Sequence, residues 1–457
     1  MTTFCIEQFG CRATQADGAA IERQLREQGC TAVARLDSAD FVVLNTCTVT
    51  AAADSQARDA IRKIHAANPA ARIIVTGCYA QRAPEEIAAL PGVAHVVGNS
   101  HKPQIATLLK TIFAAPISRN DEPVPYHCAP ILSGDIFALS DVLVAPVLGG
   151  EGNHTRPTLK IQDGCNSRCS FCVIPFVRGK SRSLPFATVL AEIQKLASSG
   201  FREIVLSGIN LGTYGRDLTP RVEFLELLKR ILDQTNVERL RISSIEPLDV
   251  TQDLIDLFAA SNRLAPHFHM PLQSASNRIL AAMHRWYRAE HYARRVELIH
   301  ERLPHAAIGA DVIAGFPGET EEDHAATLHF IEQRPFTYLH VFSYSLRPAT
   351  RAASLPSHLP GVIIKRRARE LRALAEAKSA AFRHSQVGRT LRVLTMHRNA
   401  NDDASQTPAL SGNYVSVMIP DVLPHNQWLD VSLAQGEGKT LVAWPLEASV
   451  ESTGGAC

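Results

Sequence analysis

The chain has 457 residues, an apolar content of 46%, ten cysteines and a formal net charge of +2. This length exceeds what one hydrophobic core usually supports, so two or three domains are expected. The chain has no run of about 20 apolar residues to span a bilayer and too few cysteines for a secreted disulfide scaffold, so we predict a cytoplasmic protein with no membrane partner.

Residues 1–115 alternate strand and helix patterns, which predicts an α/β domain with a parallel sheet. Its predicted elements are strands at Thr3–Phe9, Phe41–Asn45 and Arg72–Thr76 and a helix at Asp17–Gln28. Cys11, Cys47 and Cys78 each lie just past the end of one predicted strand. Because the carboxyl ends of parallel strands meet at one edge of a sheet, these cysteines are expected to form a three-thiolate site. Burial as a small apolar residue would explain any one of them.

Residues 116–155 are rich in proline and glycine and show no clear hydrophobic period. This composition predicts a linker between domains. Its middle, Ile131–Val147, is apolar enough to dock on another part of the protein.

Six strand patterns with helical patterns between them occupy residues 156–385, which predicts a partial (β/α)6 barrel with its active site at the strand carboxyl ends. The predicted strands are Leu159–Gln162, Glu203–Leu206, Arg239–Ser243, His267–Met270, Ile308–Ile313 and Tyr338–Tyr344.

A C-x3-C-x2-C loop formed by Cys165, Cys169 and Cys172 follows the first of these strands. Three thiolates can hold a four-iron cluster that keeps one iron free of protein ligands. Structural zinc usually takes four protein ligands, and a disulfide would leave one cysteine unpaired, so an iron–sulfur cluster fits the count best. The spacing resembles the signature of radical S-adenosylmethionine (SAM) enzymes, which implies that the open iron binds SAM and that the reduced cluster cleaves it to a 5′-deoxyadenosyl radical.

Residues at the later strand ends are candidates for contacts with SAM. They are Gly208, Asn210, Glu246, Gln273 and Gly315. The glycines could let the backbone approach a ligand, and the polar side chains could form hydrogen bonds with it. Turn formation and helix capping explain the same residues equally well.

A second candidate group follows the cysteine loop. Arg178 and Arg182 lie six and ten residues after Cys172, where they could bind an acidic part of a substrate, the RNA backbone or the SAM carboxylate. A solvent-facing loop is the alternative.

The end of the chain is rich in strand patterns, which predicts a small antiparallel β-barrel over residues 386–446, followed by a tail at 447–457. The predicted strands are Arg389–Thr395, Tyr414–Met418, Trp428–Ser432 and Thr440–Trp444. Just before them, Gly361–Arg392 carries nine Lys and Arg residues against two Glu. A solvated helix face or an RNA-binding surface would each explain this excess of positive charge. The adjoining barrel favours the RNA-binding surface.

Taken together, these parts resemble the radical SAM methylthiotransferase family over nearly the whole chain, with a C-terminal barrel similar to a TRAM domain. Three motifs are similar to the branch that acts on N6-threonylcarbamoyladenosine (t6A) in tRNA. They are N-T-C-T-V-T at Asn45–Thr50, G-C-Y-A-Q at Gly77–Gln81 and R-G-K-S-R-S at Arg178–Ser183. The resemblance implies that Cys11, Cys47 and Cys78 hold a second 4Fe–4S cluster that supplies sulfur.

The implied reaction converts t6A at tRNA position 37 to its 2-methylthio derivative and uses two SAM molecules, one for the methyl group and one for the radical. It requires tRNA, an electron donor and a sulfur source as partners. Three alternatives remain open on the sequence: action on isopentenyladenosine tRNA, action on a ribosomal protein, and a non-catalytic iron–sulfur RNA-binding protein. A cation should bind the carboxylate of the threonylcarbamoyl group. The resemblance therefore implies that Arg178 and Arg182 contact this carboxylate.

Overall fold

The computed structural model describes residues 2–108, 129–147, 155–398, 402–436 and 438–446. These residues form three units along the chain: a parallel-sheet domain, a partial barrel and a small closed β-barrel. The predicted tail at 447–457 lies outside the described residues. Among the described helices, none is both long and apolar enough to cross a lipid bilayer.

The N-terminal sheet is parallel throughout, with strand order β2-β1-β3-β4-β5-β6. Its strands are β1 (Thr3–Gln8), β2 (Thr31–Ala32), β3 (Phe41–Thr46), β4 (Arg72–Gly77), β5 (Val93–Gly98) and β6 (Ile131–Leu132). Its helices are α1 (Arg12–Glu27), α2 (Ala51–Ala67), α3 (Cys78–Arg82) and α4 (Pro84–Ala88). The central strand β3 is wholly buried, as expected for a parallel strand covered on both faces. Helix α1 begins directly after Cys11, five residues before the predicted start.

The segment predicted as a linker joins two units by strand pairing. Strand β6 adds an edge to the N-terminal sheet, and β7 (Pro146–Val147) pairs antiparallel with the first barrel strand. The part of this segment that the structure describes, residues 129–147, therefore packs on both neighbours.

The middle unit is a partial barrel of six parallel strands, as predicted. Its strands are β8 (Thr158–Lys160), β11 (Glu203–Ser207), β12 (Arg239–Ile242), β13 (His267–His269), β14 (Ala307–Ala314) and β15 (Tyr338–Ser343). A small antiparallel pair, β9 (Gln162–Asp163) and β10 (Arg182–Ser183), flanks the cysteine loop. Single parallel bridges, Leu240 with Leu264 and Ser244 with His269, connect the two three-stranded halves.

Helices cover the outside of this barrel and bury its apolar strands. They are α5 (Ile174–Arg178), α6 (Phe186–Ser198), α7 (Phe224–Gln234), α8 (Gln252–Ala260), α9 (Asn277–Ala282), α10 (Ala289–Arg302) and α11 (Glu321–Glu332). Helix α11 begins with a capping box in which Thr320 and Asp323 satisfy each other's backbone donors, which stabilises its first turn.

The basic helix α12 (Gly361–His384) packs against β15 and α11. Part of its charge is internal: Arg367 is 2% exposed and pairs with Glu319 at 2.7 Å, and Arg366 pairs with Glu321. Only some of the positive charge in this segment is therefore available to a nucleic acid.

The C-terminal unit is a closed five-stranded barrel with order β16-β17-β18-β20-β19. Its strands are β16 (Thr390–Thr395), β17 (Thr407–Ser411), β18 (Ser416–Ile419), β19 (Trp428–Gln435) and β20 (Leu441–Pro445). The barrel was predicted from four of these strands, and β17 was missed. One pair, β18 with β20, is parallel, which departs from the predicted antiparallel arrangement.

A buried ion cluster fixes this barrel against the middle unit. Glu203 is fully buried and pairs with Arg241 at 2.7 Å and with Arg239. Arg241 donates to the backbone oxygens of Ser411 at 3.0 Å and Gly412 at 2.9 Å, both in the C-terminal barrel. The two arginines thus connect one carboxylate to the neighbouring unit.

We predict that Glu203→Gln destabilises the protein by about 3–5 kcal/mol, because the substitution leaves two buried arginines without their carboxylate. Thermal and urea unfolding measure this loss. Glu226→Gln is the matched control, since Glu226 is 47% exposed and its pair with Arg230 on the same helix should contribute less than about 1 kcal/mol. Equal stability of the two variants would contradict this role for Glu203.

The pH dependence follows from the same carboxylate. Burial raises the pKa of Glu203, but Arg241 and Arg239 outweigh burial and hold it below its usual range. Its contribution is therefore fully present above the unfolded pKa of about 4.3 and is lost as the pH falls towards the folded-state pKa. The difference in stability between wild type and Glu203→Gln should be constant between about pH 6 and 8 and should shrink below about pH 4.

Candidate active site between two cysteine triads

The first cysteine triad lies at the carboxyl edge of the N-terminal sheet. Cys11 precedes α1, Cys47 follows β3, and Cys78 begins α3 at the end of β4. Two glycines permit this close approach: a Cβ at Gly10 would lie 2.5 Å from Cys47 Cβ, and one at Gly77 would lie 2.3 Å from a backbone oxygen of β3. Burial raises the pKa of Cys47 to about 12, and the neighbouring Cys78 and Cys11 add to the shift. The three cysteines therefore follow neighbouring strands at one edge of the sheet, and their role as ligands of one cluster stays a prediction.

The second triad lies in the loop between β9 and α5. The backbone N–H of Ser167 lies 3.4 Å from Cys165 Sγ, and the N–H of Cys172 donates to the carbonyl of Cys169 at 3.1 Å. Burial raises the pKa of Cys172 to about 12, and Cys169 adds to the shift. Buried neighbouring thiols of this kind are poorly stabilised as thiolates by the protein alone, and the positive charge of bound iron would stabilise them. Both donor sets therefore fit iron–sulfur clusters.

The two triads lie on either side of one short helix. Cys78 packs against Val173 and Val177, in the segment that follows Cys172. Asn99 donates to the carbonyl of Val177 at 2.7 Å, and its amide nitrogen also lies 3.6 Å from Cys78 Sγ. The N-terminal sheet thus packs Cys78 on the helix that follows the cysteine loop of the barrel.

A cavity of about 200 Å³, here called the central chamber, opens beside Cys172 of the second triad and beside the loop that follows Cys47 of the first. Its walls come from the loop after Cys47, the second triad and the ends of β13, β14 and β15, and they include Val49, Thr50, Phe171, Cys172, Gln273 and Asp311. A ligand in this chamber would contact elements of both cysteine sites at once.

Five buried charged residues, here called the interdomain ion network, fix the N-terminal sheet on the barrel. Asp17 on α1 pairs with Lys102 at 2.8 Å, with Arg178 at 3.0 Å and with Lys160. Asp163 pairs with Arg178 and Lys160, both at 2.9 Å. Burial raises the pKa of Asp17, but the three cations outweigh it and hold the pKa well below the usual range. Three cations against two carboxylates leave one positive charge beside Cys78 and Cys11.

The predicted substrate contacts of Arg178 and Arg182 do not agree with this arrangement. Arg178 is 2% exposed and is occupied by Asp17 and Asp163. Arg182 is 6% exposed and donates to the backbone oxygens of Arg178 and Lys180, both at 2.8 Å. Both arginines hold the protein together, because burial and internal partners keep them from a substrate carboxylate.

Two of the predicted SAM contacts share a cavity of about 690 Å³ beside the second triad. Asn210 and Glu246 both line it, and Arg285 lies between Glu246 and the cysteine loop, with its guanidinium 3.2 Å from Cys169 Sγ. The side-chain oxygen of Asn210 is buried without a hydrogen-bond partner among the described residues. An unpartnered acceptor and a cation in one cavity fit the ammonium and carboxylate groups of an amino acid such as the methionine part of SAM.

The other three predicted SAM contacts lie apart from this cavity. Gln273 lines the central chamber and has φ 63°, which is uncommon for a residue other than glycine. A Cβ at Gly208 would lie 3.0 Å from the side chain of Gln162, so close packing accounts for that glycine. At Gly315 a Cβ would lie 2.6 Å from Ile364 on α12, so that glycine also serves packing.

Sequence reasoning missed two functional candidates in these cavities, Arg285 and Asp311. The sequence gives no signal for a functional role of Arg285, because this residue follows a short helix and the candidates were sought at the ends of strands. Asp311 lies within the apolar strand pattern Ile308–Ile313, and a charged residue in such a buried run is a signal for function that was available.

Comparisons with known proteins agree with this architecture. Residues 3–98 match the family described as "Uncharacterized protein family UPF0004", and residues 159–331 match the Radical SAM superfamily. The radical SAM methyltransferase TsrM from Kitasatospora setae has a similar fold, with a TM-score of 0.55 over 77% of each chain at 16% identity. The cobalamin-dependent SAM radical enzyme OxsB is similar over 82% of this chain and 56% of its own, with a TM-score of 0.51 at 12% identity.

Sequence relatives cover most of the chain. A threonylcarbamoyladenosine tRNA methylthiotransferase MtaB from Aquifex aeolicus is 38% identical over 90% of this chain and 95% of the relative. MtaB from Bacillus subtilis is 34% identical over 92% of this chain and 90% of its own. A tRNA-2-methylthio-N(6)-dimethylallyladenosine synthase from Paenarthrobacter aurescens is 34% identical over 90% of this chain and 77% of its own.

The partial barrel with its C-x3-C-x2-C loop at the strand carboxyl ends defines a radical SAM enzyme. A second cysteine triad on a separate parallel sheet narrows the class further. The chain belongs to the radical SAM methylthiotransferase family, in the branch of the MtaB relatives. Iron–sulfur clusters and SAM are accordingly its cofactors.

We predict that Asp17→Asn destabilises the contact between the N-terminal sheet and the barrel, because Lys102, Lys160 and Arg178 lose a shared buried carboxylate. The expected cost is about 3–5 kcal/mol, seen as a lower unfolding temperature and faster proteolysis. Asp59→Asn is the control, because Asp59 is 57% exposed in a surface pair with Arg62. If Asp17→Asn were no more harmful than Asp59→Asn, the network would not fix the two units.

Proposed function

We propose that the six cysteines hold two 4Fe–4S clusters, one on each triad. Cys165, Cys169 and Cys172 hold the cluster that serves SAM, and Cys11, Cys47 and Cys78 hold the cluster that serves sulfur transfer. The observation that carries this assignment is the central chamber, which is bounded by the loop after Cys47 and by Cys172 itself. The clusters and SAM supply the radical and the sulfur, which no side chain of the protein can provide.

The proposed SAM site is the cavity that contains Asn210, Glu246 and Arg285. Asn210 offers an acceptor for the ammonium group, and Arg285 offers positive charge near the carboxylate. Gln273 lines the central chamber together with Cys172. These residues are proposed to orient SAM so that its reactive end points into the chamber.

We further propose that the substrate is t6A at position 37 of tRNA and that carbon 2 of the adenine receives the methylthio group. Support comes from the MtaB relatives, which are similar over nine-tenths of this chain. A cleft of about 660 Å³ between β15, α12 and the C-terminal barrel carries Arg156, Arg383 and Lys439. Arg156 is paired with the buried Glu203. Arg383 and Lys439, however, share the single carboxylate of Glu376, and the excess positive charge there favours binding of the RNA backbone.

Carbon 2 of adenine carries a C–H bond that general acid–base catalysis does not activate, so the chain's main task is to position the base and exclude water. The central chamber suits this task, because most of its walls are apolar or aromatic. An electron donor and a sulfur source are still required, and these partners are part of the proposal.

The cluster assignment predicts about eight iron atoms per chain after anaerobic reconstitution. Replacing Cys165, Cys169 and Cys172 together by alanine should leave about four, because the two triads share no ligand. Iron and acid-labile sulfide analysis measures this. Replacing Cys5 and Cys30, which lie outside both triads, is the control and should leave about eight. A variant without the second triad that retained all eight would contradict the assignment.

The substrate assignment predicts that the enzyme prefers tRNA carrying t6A over the same tRNA carrying dimethylallyladenosine. A preference of at least tenfold in kcat/KM is expected, which corresponds to about 1.4 kcal/mol. Matched tRNAs and mass spectrometry of the released nucleosides measure methylthio formation. Preference for the dimethylallyl substrate would place the chain with its synthase relatives instead, and product on ribosomal protein alone would exclude both tRNA assignments.

A further inference from the structure

A polar strip crosses three neighbouring barrel strands, β13, β14 and β15. Tyr338 Oη lies 2.7 Å from His267 Nε2 and 3.0 Å from His269 Nδ1. His269 Nε2 lies 3.0 Å from Asp311 Oδ1, and His340 Nδ1 lies 3.3 Å from the same oxygen. We call these five residues the His–Asp strip. The strip reaches the central chamber at Asp311, which is part of the chamber wall.

The protonation of the strip follows from its most buried member. Burial lowers the pKa of His267 well below its ordinary value, so its ring is neutral and carries one N–H. Its Nδ1 is buried without a partner in the described part of the chain, so an N–H at that atom would be costly. The proton is therefore on Nε2, which donates to Tyr338. The tyrosine O–H then donates to His269 Nδ1, and His269 Nε2–H donates to Asp311.

Asp311 is held at one oxygen and free at the other. Burial raises the pKa of Asp311, but the hydrogen bonds from His269 and His340 outweigh burial and hold the pKa below its usual range. The carboxylate is therefore ionised. Its Oδ2 has no hydrogen-bond partner among the described residues. Asp311 is also the only charged side chain among the described residues of the chamber wall, so it is the strongest acceptor available to a ligand there.

One side of the strip faces the C-terminal barrel. Tyr338 and His340 line the cleft of about 660 Å³ that also carries Arg383 and Lys439. Tyr414 of the C-terminal barrel stacks on His267 with ring centroids 4.5 Å apart. The strip therefore connects the cleft proposed to hold RNA with the chamber proposed to hold the reacting base.

The size of the chamber limits what it can hold. Its volume of about 200 Å³ is below the roughly 300–1,000 Å³ of sites that enclose whole drug-sized ligands, so it accommodates a part of a ligand such as one base. Adenine presents an N–H donor at N6 and ring-nitrogen acceptors elsewhere on its edge. In t6A one hydrogen remains on N6, whereas guanine carries an oxygen at the corresponding position.

We propose, building on the function proposed above, that Asp311 reads the target adenine. Its Oδ2 accepts a hydrogen bond from N6–H of the base and holds carbon 2 between the two cysteine triads. His269 and His340 are positioning residues, because they fix the carboxylate through Oδ1 and touch no reacting atom. A base with an oxygen in place of N6–H would face an ionised carboxylate and would be excluded.

A divalent metal ion is the rival occupant of the strip. The ligand atoms of His269, Asp311 and His340 lie within 4.8 Å of one another, a spacing that two imidazoles and a carboxylate around one ion can have. Metal binding requires His269 Nε2 to be without its proton. The His269 proton would then be on Nδ1, Tyr338 would donate to His267, and the His267 proton would be on its unpartnered Nδ1. The hydrogen-bonded form avoids this buried orphan donor.

The test compares wild type with Asp311→Asn and Asp311→Leu, all loaded with clusters, on tRNA that carries t6A. Loss of a charge-assisted hydrogen bond should lower kcat/KM for methylthiolation by roughly 10- to 100-fold. The iron content and the unfolding temperature of Asp311→Asn should match those of wild type, because Asp311 holds neither cluster in this proposal. Asp256→Asn is the matched control, since Asp256 is on the barrel surface in a pair with Arg302, and it should change neither the rate of methylthiolation nor the iron content.

A second comparison tests the hydrogen bond itself with tRNA whose t6A carries an additional methyl group on N6. Wild type should discriminate against this substrate by at least about tenfold, and Asp311→Leu should reduce that preference to near one. His340→Asn keeps a donor for Asp311 Oδ1 and should preserve the preference, whereas His340→Leu should weaken it. The exposed position of His340, at 58%, makes both variants tolerable to the fold.

Three results would overturn the proposal. They are a rate of methylthiolation in Asp311→Asn within about twofold of wild type on tRNA that carries t6A, unchanged discrimination against the N6-methylated substrate in Asp311→Leu, and one equivalent of zinc in wild type that disappears in Asp311→Asn. Failure of wild type to modify t6A would refute the proposed substrate instead. The same variants would then be compared on the tRNA that wild type does modify, where the proposal predicts the same loss.

Discussion

The position of both cysteine triads depends on the interdomain ion network. Asp17 lies six residues after Cys11 on α1, and Asp163 lies two residues before Cys165. The same ion pairs therefore hold the element that begins at the first triad and the loop that carries the second. Charged groups removed from water interact strongly and tolerate little displacement, so the network fixes the register of the two units as well as their contact.

The excess positive charge of this network has a second consequence. Arg178 is surrounded by the two carboxylates and by the thiols of Cys78 and Cys11. Arg178 partly offsets the effect of burial on the Cys47 thiol, although burial still keeps the pKa of Cys47 raised. A structural ion network and a cofactor site are thus one electrostatic unit. The motif at Arg178–Ser183 resembles the branch that acts on t6A, but its Arg178 serves this ion network and does not reach the central chamber.

Much of the fold was accessible from sequence, because it rests on local patterns. The strands that precede Cys47 and Cys78 are continuous apolar runs, and their parallel arrangement follows from the alternation of strands and helices. The convergence of three cysteines separated by 67 positions follows from topology alone. The barrel strands were predicted within one or two residues for the same reason.

The missed features depend on partners that are distant in sequence. A run of cations after Cys172 gives no information on whether its charges face solvent or a carboxylate 161 residues away, as Arg178 does with Asp17. The early start of α1 depends on its docking, since the sequence after Cys11 lacks an acidic or capping residue to begin a helix. Strand β17 is short and follows a polar segment, so its place in the barrel is set by pairing with β16 and β18 and not by its own pattern.

The arrangement of polar and apolar walls in the central chamber is consistent with the chemistry that the family performs. A radical reacts with whichever C–H bond lies nearest, so selectivity depends on where a base is held and not on acid–base strength. Apolar walls such as Val49, Phe171 and Ile313 offer no hydrogen bond that could hold the base in one orientation. In the role proposed for Asp311, its ionised carboxylate holds the base without adding a mobile proton donor. His267 and His269 lie behind this carboxylate, and His267 stacks on Tyr414 of the C-terminal barrel. In the proposed role of Asp311, one continuous set of contacts therefore connects the acceptor for the base with the C-terminal barrel.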